Sequence, residues 1–191
     1  MSSVDLEKLL EESGAVLRGH FRLTSGRHSN VYFEKFRVLE QPHVLSALCK
    51  QIADHFRDRV DIVAGPTTGG IIIAFEVARL MGVSAIYVES EDGRKKVRRN
   101  GFIPAGSRVL IVDDVLTTGL SIRETIEAVQ EFEVEIAGIG VLIDRSQPGL
   151  SFDQPLYASY RVTADSWEPD DIPDWLANIP ITQPGTRKQD Q

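Results

Sequence analysis

Residues 109–121 read VLIVDDVLTTGLS, and this stretch decides the architecture. Val109, Leu110, Ile111 and Val112 form an apolar run with no polar alternation, as expected of a strand covered on both faces of a parallel sheet. Asp113 and Asp114 emerge at its carboxyl end. Thr117, Thr118 and Gly119 then turn into a helix with Ile122, Ile126 and Val129 on one side and Arg123, Glu124 and Glu127 on the other. The stretch is a strand–loop–helix unit.

Working outward, the same alternation repeats. VDIVAG (60–65), SAIYVE (84–89), AGIGVLID (137–144) and LYASYRV (156–162) read as strands. Helices are expected from Ile71 to Met81 and from Pro42, where Val44, Leu45, Leu48, Ile52 and Phe56 recur at helical spacing. A short N-terminal helix has Val4, Leu6, Leu9 and Leu10 as its apolar side. Residues 21–39 read as strands with a tight turn at Ser25-Gly26, and GTRKQDQ at the end reads as a mobile tail. The expected fold is α/β, a mostly parallel central sheet flanked by helices. It forms one domain over 1–191, with an N-terminal region at 1–40, a core at 41–165 and a tail at 166–191.

Open parallel sheets bind ligands beyond the carboxyl ends of their strands, so the loops there are the ones to inspect. A helix N-terminus offers free N–H groups and partial positive charge to a phosphate. Thr117, Thr118 and Ser121 add hydroxyls, and Gly119 allows close backbone approach. Asp113 and Asp114 would repel a phosphate, so they suit ribose hydroxyls, a metal ion or positive charge developing on a sugar ring. A phosphorylated sugar uses both halves. GPTTGG (65–70) is a second anion cradle, without the spacing of an ATPase P-loop. The segment 89–101 carries Arg94, Lys95, Lys96, Arg98 and Arg99, and reads as a mobile cationic lid over a polyphosphate.

Composition excludes several classes. The net charge of −7 gives no general attraction to nucleic acid or an acidic membrane, and no apolar run approaches the roughly 18 residues of a membrane span. MSSVDLEKLLEES lacks the basic start and apolar centre of a signal peptide, so a cytoplasmic protein is expected. Cys49, the single cysteine, falls on an apolar helix face, and the four histidines show no metal-ligand spacing. Gly138 and Gly140 begin a strand rather than follow one, so the dinucleotide fingerprint is absent.

The 109–121 string resembles the phosphoribosyl-pyrophosphate (PRPP) signature of the type I phosphoribosyltransferases. GHFRLTSGRHSNVYFEKF (19–36), with Phe21, Leu23, Ser25, Gly26, Ser29 and Tyr32 in an F-x-L-x-SG-x-x-S-x-x-Y pattern, is similar to the N-terminus of that family's orotate branch. The likeness continues through 65–70, the basic segment, LIDR (142–145) and WEPDDIPDWLANIPITQPG, and so covers most of the chain. It implies a type I phosphoribosyltransferase-like fold with a small N-terminal hood. It implies transfer of ribose 5-phosphate from PRPP to orotate, giving orotidine 5′-phosphate and pyrophosphate, in a homodimer with shared sites.

Carried over residue by residue, Asp113, Asp114, Val115, Leu116, Thr117, Thr118, Gly119, Leu120, Ser121 and Arg94 bind PRPP. Thr67, Thr68, Gly69 and Gly70 form the pyrophosphate loop. Lys95 and Lys96 lead as catalytic lid cations, the lid coming from the neighbouring subunit. Arg145, Thr117, Tyr32 and Phe33 face orotate, a guanidinium fork matching a planar anion. Mg²⁺ is expected, held mainly by substrate and water, with Asp113 and Asp114 as possible contacts. Thr24, Leu120, and Ile172 with Trp175 depart from the family pattern, at positions near the base, in the phosphate loop and in the tail. A phosphoribosyltransferase for a purine or other base, and a non-catalytic PRPP-binding regulator, remain as alternatives.

Overall fold

A computed structural model describes residues 3–182 except 24, 99, 100, 163 and 164, and the side chains of 3–5 are not described. Val4 as an apolar contact, Thr24, Arg99 and the GTRKQDQ tail therefore lie outside the described residues. The chain divides into two units, one of Met1–Val44 with Thr163–Gln191 and one of Leu45–Val162.

In the first unit α1 (Ser3–Glu12) buries Leu6 and Leu10. Strands β1 (Val16–Arg22) and β2 (His28–Phe33) pair antiparallel around the expected turn, where Gly26 takes φ +86° and its N–H donates to the Leu23 carbonyl at 2.9 Å. The β-forming run does not continue to Leu39. Residues Lys35–Leu39 form a short helix, α2, because the Glu34 side chain caps it by accepting from the Phe36 N–H. The tail contributes two strands that its composition concealed. β9 (Ser166–Trp167) pairs with β2 and β10 (Ile181–Thr182) with β1, giving the order β10-β1-β2-β9. Arg27 secures β9 by donating to the Ser166 carbonyl and hydroxyl and pairing with Glu168.

Helix α3 (Pro42–His55) leads into the second unit. There β3 (Ile62–Pro66), α4 (Gly69–Met81), β4 (Ser84–Glu91), β5 (Arg94–Val97), β6 (Arg108–Leu116), α5 (Leu120–Gln130), β7 (Glu135–Asp144) and β8 (Leu156–Arg161) follow in turn. The sheet order is β5-β4-β3-β6-β7-β8, parallel except for β5. Ile62, Ala64, Val109, Ile111, Ile139 and Val141 form one face, against Ile122, Ile126 and Val129 of α5. Each buried Val or Ile among them contributes about 1.5–3 kcal/mol. The other face, with Leu110 beside Gly138 and Val112 beside Gly140, meets α3. Cβ atoms on Gly138 and Gly140 would lie 2.3 Å from Phe56 Cε1 and 2.5 Å from Ile52 Cγ2, so the glycines let α3 sit close. Helix α4 shares that face with α3, and Ser46 Oγ donates to Glu76 Oε1 at 2.7 Å between them.

The chain thus leaves β3 toward one face and β6 toward the other, and these two strands are neighbours. Their carboxyl ends form a topological switch point, the place where open α/β sheets bind ligands.

Candidate active site at the β3–β6 switch point

Because successive strand residues point to opposite faces, the acidic pair divides. Asp113 shares the face of Val109 and Ile111 and turns toward α5, whereas Asp114 shares the face of Leu110 and turns toward α4. Both are buried. Asp113 Oδ1 accepts the Asp114 N–H at 2.8 Å and Asp114 Oδ1 accepts the Val115 N–H at 2.7 Å. Each carboxylate is thereby oriented through one oxygen. Burial, and then the charge of Asp114, push the Asp113 carboxyl above its ordinary range; the Asp114 N–H, the Ser121 hydroxyl and Lys95 pull it back.

The two anion cradles flank this pair. The 67–70 loop leaves β3 with the Thr67 N–H donating to the Val88 carbonyl at 2.9 Å, and the Thr67–Thr68 peptide is cis. Thr67 and Thr68 are exposed, and Thr68 makes no side-chain cap, so the first amides of α4 point outward uncapped by it. Gly65 and Gly70 hold strand and helix together: a Cβ on Gly65 would lie 2.1 Å from the Gly70 carbonyl oxygen. The 115–121 loop bounds a depression of about 80 Å³ reaching Asp113. Gly119 caps α5 at φ +78°, and its missing Cβ leaves room for Phe152 Cζ, 2.8 Å from where that atom would be. Thr117, Thr118 and Leu120 are exposed around the depression.

The basic segment carries secondary structure that the sequence reading did not anticipate. Glu89, Ser90 and Glu91 pair with Lys96, Lys95 and Arg94, and Asp92 and Gly93, at φ 52° and 77°, close a tight two-residue hairpin. The Asp-Gly pair between the two arms was the signal for this. Strand parity then separates the cations. Val97 packs on the α5-face core, and Lys95, two residues before it, shares that face. Its ammonium donates to Ser121 Oγ at 2.6 Å and its side chain is 10 % exposed, so it is docked on its own chain. Lys96 is exposed and pairs with Glu91 at 2.9 Å, and Arg94 is exposed. Arg98 lies over the Tyr87 ring, 5.2 Å from its centroid.

Of the residues expected to face a base, Thr117 and Arg145 come together. The Arg145 N–H donates to the Leu116 carbonyl at 2.9 Å, which sets the two loops side by side. Asp144, which precedes Arg145, pairs with another arginine. Its buried carboxylate is held by Arg161, at 3.0 and 2.8 Å, and by the Ser146 N–H at 2.9 Å. In the first unit Tyr32 is half-buried and tilts against Phe21 with centroids 5.7 Å apart, while Phe33 is 5 % exposed. Phe33 is therefore a core residue of β2 and presents no free face for stacking.

Sequence reasoning missed the buried pair His20–His28. His20 Nε2 and His28 Nδ1 lie 2.6 Å apart, and His20 Nδ1 lies 3.0 Å from the Ile179 carbonyl. Both rings are buried, beside a register irregularity of β1 between Arg18 and Phe21, and nothing in the spacing joined them. Among the described residues no group of three or more His, Cys, Asp or Glu side chains is arranged to hold a metal ion. No helix among them is long and apolar enough to cross a membrane.

The phosphoribosyl transferase domain family matches residues 37–159 of the chain. An orotate phosphoribosyltransferase of Pelotomaculum thermopropionicum is 42 % identical over 98 % of this chain and all of its own length. One from Chlorobium phaeobacteroides is 39 % identical over the full length of both. Among solved structures, the orotate phosphoribosyltransferase of Aeropyrum pernix superposes with a TM-score of 0.67 at 32 % identity, covering 82 % of this chain and 93 % of that one.

Proposed function

We propose, for a chain that belongs to the orotate phosphoribosyltransferases within the phosphoribosyltransferase family, that it transfers the ribose 5-phosphate of PRPP to orotate. The products are orotidine 5′-phosphate and pyrophosphate, a step of pyrimidine synthesis. The observation that carries the reading is the division of Asp113 and Asp114 between the two faces of β6, with an anion cradle on either side.

In this reading the 117–121 loop takes the 5′-phosphate on the N-terminus of α5, and the 67–70 loop takes the pyrophosphate on the N-terminus of α4. Asp113 and Asp114 grip the ribose hydroxyls between them. The orotate ring nitrogen attacks C1 as the pyrophosphate oxygen departs, through a transition state with oxocarbenium character. No covalent nucleophile is needed. The residues hold the partners in line, keep carboxylates beside a ring that becomes positive, and stabilise the leaving anion with oriented amides. Thr117 and Arg145 face the base, the guanidinium meeting its carboxylate. Arg94 and Lys96, exposed on the β4–β5 hairpin, supply cations toward the leaving group.

Magnesium fits this donor set. Asp113 and Asp114 would offer hard carboxylate oxygens, too few to form a full cage, which suits an ion that keeps most of its shell from substrate and water. Held by these two carboxylates, the ion would supply neutralising charge for the pyrophosphate. A cytoplasmic homodimer completes the proposal. Ile72 and Phe75 on α4, 43 % and 64 % exposed at one-turn spacing, offer an apolar stripe to a second copy.

The test mixes protein, PRPP, Mg²⁺ and orotate and follows the loss of orotate absorbance. Turnover of orotate supports the proposal. Turnover of adenine, hypoxanthine or uracil in its place overturns the substrate, and PRPP binding without turnover of any base points to a regulator.

A further inference from the structure

The first turn of α5 holds an ammonium group that the phosphate chemistry above does not use. Lys95 Nζ donates to Ser121 Oγ at 2.6 Å and to the Ser121 carbonyl at 2.9 Å. It lies 3.4 Å from Thr125 Oγ1 and 3.6 Å from Glu124 Oε2, with its side chain 10 % exposed. Stability does not account for this placement. A nearly buried ammonium loses hydration, and a cation in the first turn sits at the positive end of the helix dipole. An unbranched apolar side chain on β5 would fill the same space without either penalty.

What the ammonium does supply is orientation. The Ser121 hydroxyl carries one proton. With Lys95 donating to its oxygen, that proton is directed to Asp113, to which Ser121 is hydrogen-bonded. Ser121 is thus fixed between a cation from β5 and a carboxylate from β6. The positive charge also lies directly behind the N-terminus of α5, adding to the field an anion meets there. Asp114 on β6 and Glu124 on α5 are the charges nearest this cluster among the described residues, Arg94, Glu127 and Glu131 line the same depression as Lys95, and β7 presents Val141 beside Asp113.

We propose that Lys95 is a positioning residue of its own chain's sugar-phosphate subsite, fixing the Ser121 hydroxyl on Asp113 and placing positive charge behind the 117–121 cradle. This rests on the reading that the cradle takes the 5′-phosphate of PRPP. It assigns Lys95 a role within one chain, in place of a lid cation reaching into a neighbour.

Two ligands separate the subsites without turnover: ribose 5-phosphate probes the cradle and Asp113, and inorganic pyrophosphate probes the 67–70 loop. By titration calorimetry, Lys95→Met is expected to weaken ribose 5-phosphate about tenfold and to change pyrophosphate by less than about twofold. If Lys95→Met does not fold, Lys95→Gln carries the same two titrations and the same expected split. Unchanged ribose 5-phosphate affinity overturns the proposal, and so does an equal loss for both ligands, which marks general damage. If the parent protein binds pyrophosphate but no ribose 5-phosphate, the reading of the cradle fails and this inference with it.

Discussion

A Cβ on Gly69 would lie 2.4 Å from Asp114 Oδ2, so the first residue of α4 and the acidic pair of β6 are fitted to each other. The contact joins the two cradles across neighbouring strands. Gly69→Ala is expected to displace the Asp114 carboxylate and lower kcat/KM for PRPP at least about tenfold, with little change in thermal midpoint. Gly65→Ala makes the contrast. There the clash is with backbone, the Gly70 carbonyl oxygen at 2.1 Å, so a loss of about 1–3 kcal/mol or more in denaturant unfolding is expected. Normal kinetics in Gly69→Ala would separate the 67–70 loop from the site.

Asp113→Asn tests stability against function at one residue. Burial and the Asp114 charge raise the Asp113 carboxyl's pKa, so its ionised form is a burden on the fold near neutrality. The amide retains an oxygen for the Asp114 N–H. The variant is expected to melt at or above the parent's temperature at pH 7, with turnover reduced about a hundredfold or more. The sign follows from linkage: the parent gains stability relative to the variant as pH falls through the raised value. A melt series across pH, alongside steady-state assays, checks both halves.

The α3 face offers a packing test away from the site. Gly140→Ala would place a methyl 2.5 Å from Ile52 Cγ2, and an overpacking loss of about 1–3 kcal/mol is expected. Ile52→Ala alone removes buried groups and is expected to lose about 2–5 kcal/mol. In the double variant the added methyl enters the space vacated. The two losses should then sum to more than the measured total, and strict additivity would show that the glycine is not what admits α3.

Arg108 holds the Asp61 carboxyl down to about 2, through a side-chain pair at 2.7 Å and the Arg108 N–H at 2.9 Å. A depressed carboxylate contributes stability that is full above its unfolded value near 3.9 and is lost as pH falls toward about 2. Arg108→Met should therefore narrow the gap between stabilities at pH 5 and pH 2. An unaltered acid limb in that variant would remove the pair from acid unfolding.

The strands and helices of the second unit were legible because each carries its own period: continuous apolar runs for β3, β6 and β7, and a stripe at helical spacing for α5. The acidic pair and the TTG turn were legible as a site because they sit where a strand ends and a helix begins. The hairpin was not legible because the five cations that follow Asp92-Gly93 carry no apolar strand period. The tail strands were hidden by shortness, two residues each, with no periodicity to show.

By itself the sequence determined the alternation of strands and helices from β3 to β8 apart from β5, the two anion loops and the identity of the acidic pair, all properties of neighbouring residues and local period. Only the tertiary structure decided which loops become neighbours, because β3 and β6 pair through segments far apart along the chain. It also decided what each charge is for. Lys95 and Lys96 are adjacent and chemically alike, yet strand parity turns one into the first turn of α5 and leaves the other in solvent. The formal charge of −7 is a sum over the whole chain, whereas an anion meets only the groups that folding places within a few ångströms of it.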